Sequence, residues 1–208
     1  VKYYEFVTGD TIEIAPGRTL KRIRAVAEIA ALGVAAGQLG GYIEHEKNLF
    51  GGAWVYGNAR VYGNAQVCGD ARVYDSAQVY GNARVYGNAL VYDNARVYGD
   101  ARVYDSAQVY GNARVYGNAR VSGDAMIDEN GLIFWASKVG SENGTLTVYN
   151  TKSNELEVTR GCFCGSVEEF LAASKAKHDD VTHHEYRLLI EVAVSRITRA
   201  RERLGEKA

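Results

Sequence analysis

From Val55 to Met126 a valine falls at every sixth position and an alanine four residues after it, through twelve consecutive units without an insertion. The first four units read VYGNAR, VYGNAQ, VCGDAR and VYDSAQ. Taken across the unit boundary, the strand-like portion is Ala-Arg-Val-Tyr. Alternation puts Ala and Val on one face and Arg and Tyr on the other. The intervening Gly-Asn, Asp-Ser or Gly-Asp pair is turn chemistry, because these residues tolerate the left-handed backbone of a sharp corner. A four-residue strand and a two-residue corner with no spare residue cannot form hairpins without changing rhythm. They wind instead into a coil with three flat sides, valine inside and alanine in the tighter space beside each corner. Burying each valine stabilises the coil by about 1.5–3 kcal/mol, and successive turns lie about 4.8 Å apart.

The aliphatic positions Val55, Val61, Val67 onward to Val121, with the small positions Ala59, Ala65, Ala71 onward to Ala125, resemble the hexapeptide-repeat family. That resemblance implies a mainly β protein built on a left-handed parallel β-helix. The hand is the family's, since the usual crossover rule favours the opposite one. With three units per turn, residues eighteen apart stack. One side is then expected to carry Tyr56, Tyr74, Tyr92 and Tyr110 beside Arg60, Gln78, Arg96 and Arg114. A second carries Tyr62, Tyr80, Tyr98 and Tyr116 beside Gln66, Arg84, Arg102 and Arg120. The third is interrupted: Cys68, Tyr86, Tyr104 and Ser122 beside Arg72, Leu90, Gln108 and Met126. This broken side is expected to be covered by the flanking segments or by another subunit. Val73–Asn88 and Val103–Asn118 are identical strings thirty residues apart, five units rather than whole turns, so part of the side pattern reflects duplication.

The coil register extends backwards through Leu49 to Ile43, which gives three regions: an N-terminal β cap (1–42), the solenoid (43–127) and a C-terminal α+β domain (128–208). In the cap, Lys2–Val7 and Thr11–Ile14 read as two strands separated by a Gly9-Asp10 turn, and Thr19–Ile29 as a third, with an Ala-rich helix the competing reading. A cap is needed because an open coil end leaves unpaired backbone groups. Beyond Met126 the turn chemistry disappears. Leu132–Val139, Thr145–Asn150 and Leu156–Cys162 read as a small antiparallel sheet with a hairpin at Ser141–Gly144. Two helices follow. Ser166 with Glu169 and Thr182 with Glu185 have the capping-box spacing, and Tyr186, Leu189, Ile190, Ala193, Ile197 and Leu204 recur at helical period.

Net charge is −1 and the coil holds seven arginines against six aspartates, which removes global nucleic-acid attraction and acidic mimicry as explanations. Three cysteines without framework spacing suggest reduced thiols, and no apolar run has signal or membrane length; both lead to the expectation of a cytoplasmic protein. Val1 in place of Met suggests a non-ATG start or processing. Hexapeptide-repeat acyltransferases use a histidine base in or beside the coil. Here the coil has no histidine, and His45 just before it is the sole adjacent candidate. His178, Asp179, His183 and His184 form a weak metal constellation, since adjacent helical histidines diverge by about 100°. Cys162 and Cys164 read as two thiols on one side of a strand, buried in a core. No cofactor, metal or catalytic residue is assigned. The exposed Tyr/Arg ladders, with Arg84, Arg102 and Arg120, are the candidate binding surface, suited to a protein partner or, through cation–π stacking, to a nucleotide or nucleic acid.

The flanks carry a second resemblance. Gly17–Ala25 (GRTLKRIRA), Gly37–Glu44 (GQLGGYIE), Asn48-Leu49, Arg160–Gly165 (RGCFCG) and Glu168–Phe170 look like segments of small phage and prophage proteins that hold VYGNA units between a cap and a small C-terminal domain. This implies an accessory protein acting in the bacterial host cell and, by analogy with other such proteins, one that binds and blocks a host protein, with CRISPR or nucleotide-signalling defence components as examples. A homo-oligomer is expected, since many hexapeptide-repeat proteins are trimers, and the broken side and the long C-terminal helix equally permit a dimer. A virion or tail component is the structural alternative.

Overall fold

The computed structural model describes residues 3–205. Its core is a β-solenoid, preceded by antiparallel strands and followed by an antiparallel sheet and two helices, as the periodicity requires. Each coil strand contains two residues, and Arg60–Val61 pairs in parallel with Gln78–Val79, which pairs with Arg96–Val97. The amide of Arg60 donates to the Ala77 carbonyl at 2.9 Å and that of Tyr62 to Val79 at 3.0 Å, and this pattern repeats along the coil. Every repeat valine from Val55 to Val121 is 0 % exposed. The coil begins with Ile43 beside Val61 and ends with Ile127 beside Val109.

The composition of the walls differs from the expected one. The strand straddles the unit boundary, so Arg60 and Tyr62 flank the same inward valine, whereas Tyr56 and Arg60 are separated by the Gly57-Asn58 corner. One wall therefore holds Arg60, Gln78, Arg96 and Arg114 with Tyr62, Tyr80, Tyr98 and Tyr116. A second holds Trp54, Arg72, Leu90, Gln108 and Met126 with Tyr56, Tyr74, Tyr92 and Tyr110. The third holds Gln66, Arg84, Arg102 and Arg120 with Cys68, Tyr86, Tyr104 and Ser122. The flanking segments do not shield the interrupted wall along its length: Tyr86 and Tyr104 are half-buried like most of their counterparts on the other walls, and only Ser122, in the last turn, is covered by them. The flanking segments close the ends of the coil, because unpaired backbone groups lie at the ends.

At the corners the chain turns through left-handed backbone. Gly99 has φ 71°, and a Cβ added there would lie 2.9 Å from the Gly117 amide nitrogen. Asp75, Asp93 and Asp105 occupy equivalent corners with φ between 56° and 58°. Their side chains point along the coil axis to the next corner. The Gly111 amide donates to Asp93 Oδ2 at 3.0 Å, the Asp93 amide to Asp75 Oδ2 at 3.4 Å and the Gly123 amide to Asp105 Oδ2 at 3.5 Å. The parallel ladder uses the amide of the second residue of each corner (Asn94 to the Gly111 carbonyl). The aspartates thus supply an acceptor to an amide the ladder leaves out.

Before the coil, the two strands expected on either side of Gly9-Asp10 are one bent strand, Tyr4–Ala15, with a register shift between Phe6 and Thr11; Lys2 lies outside the described residues. Its antiparallel partner, Arg18–Ala25, is the strand favoured for the ambiguous segment, ending short of Ile29. That strand pairs with Leu39–Ile43, which joins the first wall. Asn48, 0 % exposed, closes the first turn by donating to the Gly63 and Ala65 carbonyls at 3.0 and 2.8 Å.

After the coil, Ile133–Val139, Gly144–Asn150, Leu156–Arg160 and Phe163–Ser166 form a four-stranded antiparallel sheet. The last expected strand stops at Arg160. Gly161 turns with φ 60°, and a fourth strand follows. Cys162 therefore sits in a turn and Cys164 on the next strand, and both are exposed, which corrects the buried single-strand expectation. The sheet closes the coil with hydroxyls: Thr147 Oγ1 accepts from the Arg120 amide at 3.1 Å, Thr159 Oγ1 donates to the Arg120 carbonyl at 2.8 Å, and the buried Tyr149 hydroxyl accepts the Ser122 amide at 3.3 Å. Helix α1 (Val167–Lys177) begins with the expected Ser166/Glu169 capping box. Helix α2 (Asp180–Gly205) starts two residues before Thr182, and Asp179 Oδ1 accepts the Thr182 amide at 2.8 Å. A carboxylate at the helix start accepts more strongly than a hydroxyl and complements the helix dipole. Tyr186, Ile190, Ala193 and Ile197 are buried, as their spacing requires.

Candidate functional site

The coil walls carry two regular features: tyrosine stacks and arginine rows. Strand pairing fixes residues eighteen apart at one repeat distance, which brings like rings together. Tyr62, Tyr80, Tyr98 and Tyr116 are parallel with centroids 4.9, 4.9 and 5.0 Å apart. Tyr74, Tyr92 and Tyr110 stack at 4.8 and 4.9 Å, and Tyr86 and Tyr104 at 5.0 Å. Tyr56 breaks its row: it stands edge-on to Trp54 and Tyr74, and its hydroxyl donates to the Leu32 carbonyl at 3.2 Å. The ladder rings cover one another's faces, so the walls present ring edges and hydroxyls. These tyrosines are half-buried except Tyr116, which is 41 % exposed. Burial within the stack, with Tyr92 and the nearby Asp75 and Asp93 carboxylates, pushes the Tyr74 phenol up to about 12. It remains a neutral hydrogen-bonding group at physiological pH.

Arg84, Arg96 and Arg114 are exposed, and Arg60, Arg72, Arg102 and Arg120 half-buried. Among the described residues, none of these seven has a carboxylate within salt-bridge distance. The coil's aspartates sit at corners, where Asp75, Asp93 and Asp105 accept from backbone amides and Asp100 accepts from the Asn82 side-chain amide at 3.0 Å. The walls are therefore cationic and the edges acidic, although the coil as a whole is near neutral. Sequence reasoning found both residue sets and missed this separation; the corner position of every Asp was the available signal. By contrast, the cap's cations are paired: Arg18 grips Glu44 through two bonds of 2.9 and 2.8 Å and lies 5.0 Å above the Tyr62 ring. The Arg18 bond, helped by the Gly63 amide at 2.6 Å, brings Glu44 down to about 2 against the opposing effect of burial.

The other candidates are dispersed. His45 is 53 % exposed, with Nε2 3.9 Å from Glu44 Oε1. His183 Nδ1 lies 3.2 Å from the Ser174 hydroxyl, and His184 Nδ1 lies 3.0 Å from Arg187 Nη2. Among the described residues no three His, Cys, Asp or Glu side chains converge as metal ligands. Also among those residues, no helix is long and apolar enough to cross a membrane.

Repeat geometry, strand pairing and the valine core together define a β-solenoid of about five turns. Residues 53–123 match, in overlapping segments (53–67, 65–81, 77–93, 83–96, 89–105, 95–111 and 107–123), the family model described as YdcK beta solenoid repeat, so the coil is similar to that repeat. No curated protein matches the chain.

Proposed function

We propose that the protein is a non-catalytic binding module whose rigid coil presents its tyrosine-edge and arginine walls to a protein partner. The observation that carries this reading is the row of coil arginines without carboxylate partners on a preorganised surface. Arginine and tyrosine are the side chains most enriched where binding energy concentrates. The ladder strands are fixed by the valine core, so little ordering entropy is lost on docking. A protein is favoured over single-stranded nucleic acid because the ladder ring faces are occupied by their neighbours, leaving no platform for bases on the ladders. The likeness of the flanking segments to phage accessory proteins supports a bacterial host protein, including a defence component, as the partner, with sequestration or inhibition as the outcome.

Affinity capture from bacterial lysate, followed by reconstitution with the purified partner, tests this. Wild type should retain a defined protein in a salt-sensitive manner, and Arg96→Glu with Arg102→Glu should lose it while keeping the circular-dichroism spectrum. Capture of no protein, or undiminished binding by the charge-reversed variant, would overturn the proposal.

A further inference from the structure

Where the first wall meets the C-terminal domain, a cleft of about 360 Å³ opens between Tyr98, Tyr116, Phe134 and Trp135. Arg114 reaches it from the coil and Arg196 from α2. Three separate parts of the chain build it: the last turns of the ladder, the first strand of the C-terminal sheet and the second helix. Trp135 stands outside the stacks, at 85° to Tyr116 with centroids 4.5 Å apart. Both arginines are exposed, and neither has a hydrogen-bonding or ionic side-chain partner among the described residues. Among the described residues, no acidic side chain lines the cleft. The coil's end explains the exposure: Tyr116 is the last rung, and the sheet beyond it turns away to close the coil through Thr147 and Thr159.

Four aromatic rings and two unneutralised guanidinium groups around a volume at the lower end of the small-ligand range of about 300–1,000 Å³ specify a ligand class. We infer that this cleft binds a small planar organic anion, an aromatic ring carrying a carboxylate or phosphate. The ring packs among Trp135, Phe134 and the ladder end, and the anion lies between Arg114 and Arg196, whose planar guanidinium groups match such oxyanions in bidentate fashion. The cleft shares Tyr98, Arg114 and Tyr116 with the first wall, but the inference does not rest on the proposed protein binding and stands if no protein partner exists.

The molecule contains its own reporter. It has two tryptophans, and Trp54 is fully buried at the opposite end of the coil, so ligand-dependent fluorescence change reports Trp135. Full-length protein is titrated with adenosine monophosphate and with cinnamate, against adenosine, cinnamyl alcohol and inorganic phosphate. Both anionic ring compounds should give saturable quenching, and the neutral compounds and bare phosphate should bind at least about tenfold more weakly, the loss expected for one charge-assisted contact. Preference for one anionic probe distinguishes phosphate from carboxylate as the source. Arg196→Gln, at an exposed side chain without partners, should weaken the anionic probes by about tenfold and leave the neutral ones unchanged. Trp135→Phe should abolish the optical signal while calorimetry still detects binding. Absence of saturation by both anions up to about 10 mM, equal binding of neutral analogues, or indifference to Arg196→Gln would each overturn the inference.

Discussion

The corner aspartates make a quantitative test of how the coil is held together. Asp93 adopts φ 56° and accepts the Gly111 amide at 3.0 Å. Two effects oppose each other in Asp93→Gly. Losing a partly exposed hydrogen bond costs about 1 kcal/mol. Releasing a non-glycine residue from left-handed backbone returns about 1 kcal/mol, less for Asp than for most residues. The variant should lie within about 1 kcal/mol of wild type. Asp93→Ala loses the bond and keeps the strain, so it should fall below Asp93→Gly by about 1–2 kcal/mol. Asp93→Asn retains an acceptor oxygen and tolerates the backbone, and should differ from wild type by about 0.5 kcal/mol or less. Urea unfolding followed by circular dichroism gives the midpoints, with unchanged m-values required before they are compared. Asp93→Ala as stable as Asp93→Gly would refute the account, since strain would then contribute nothing; Asp93→Gly several kcal/mol below wild type would show the carboxylate bond to be far stronger than its geometry implies.

Val97→Ala removes two methyl groups from a 0 % exposed position in the middle of the coil and should cost about 2–3 kcal/mol by denaturant unfolding, transfer and cavity contributions combined. Thr159→Val leaves the Arg120 carbonyl without its hydroxyl donor at the coil end. It should cost about 1–2 kcal/mol and raise hydrogen exchange at the Tyr104 and Ser122 amides of the terminal turns before that of the central turns. Glu44 is held down to about 2 by Arg18, so its contribution is complete above the ordinary 4.5 and is lost as pH falls from there toward 2. The pH dependence of cap stability in that window should disappear in Glu44→Gln, measured by thermal unfolding. A spectrophotometric titration should show the Tyr74 phenol ionising near pH 12, and its titration should shift downward in Tyr92→Ala, which opens the stack.

The six-residue rhythm by itself determined that this chain forms a three-walled coil. Valine every sixth residue and turn-forming pairs between them leave one arrangement that buries the valines and pairs the backbone, so local periodicity and global architecture coincide. The strand at Thr19, the hairpin at Ser141–Gly144, the Ser166 cap and the buried stripe of α2 were legible for the same reason, being set by neighbours within a few residues. Which side chains share a wall was decided by the phase of two-residue strands against the unit boundary, a matter of where the corner bends, and Tyr56 and Arg60 fell on opposite sides of it. The positions of Cys162 and Cys164 depended on a turn at Gly161 that the apolar pattern does not mark. The exposed cleft at Trp135 arises only where a ladder, a sheet strand and a helix distant in sequence converge. Likewise, that no carboxylate among the described residues pairs with the coil arginines follows from placing every coil aspartate at a corner, where Asp75, Asp93, Asp100 and Asp105 are engaged along the axis, a three-dimensional consequence that a near-neutral composition conceals.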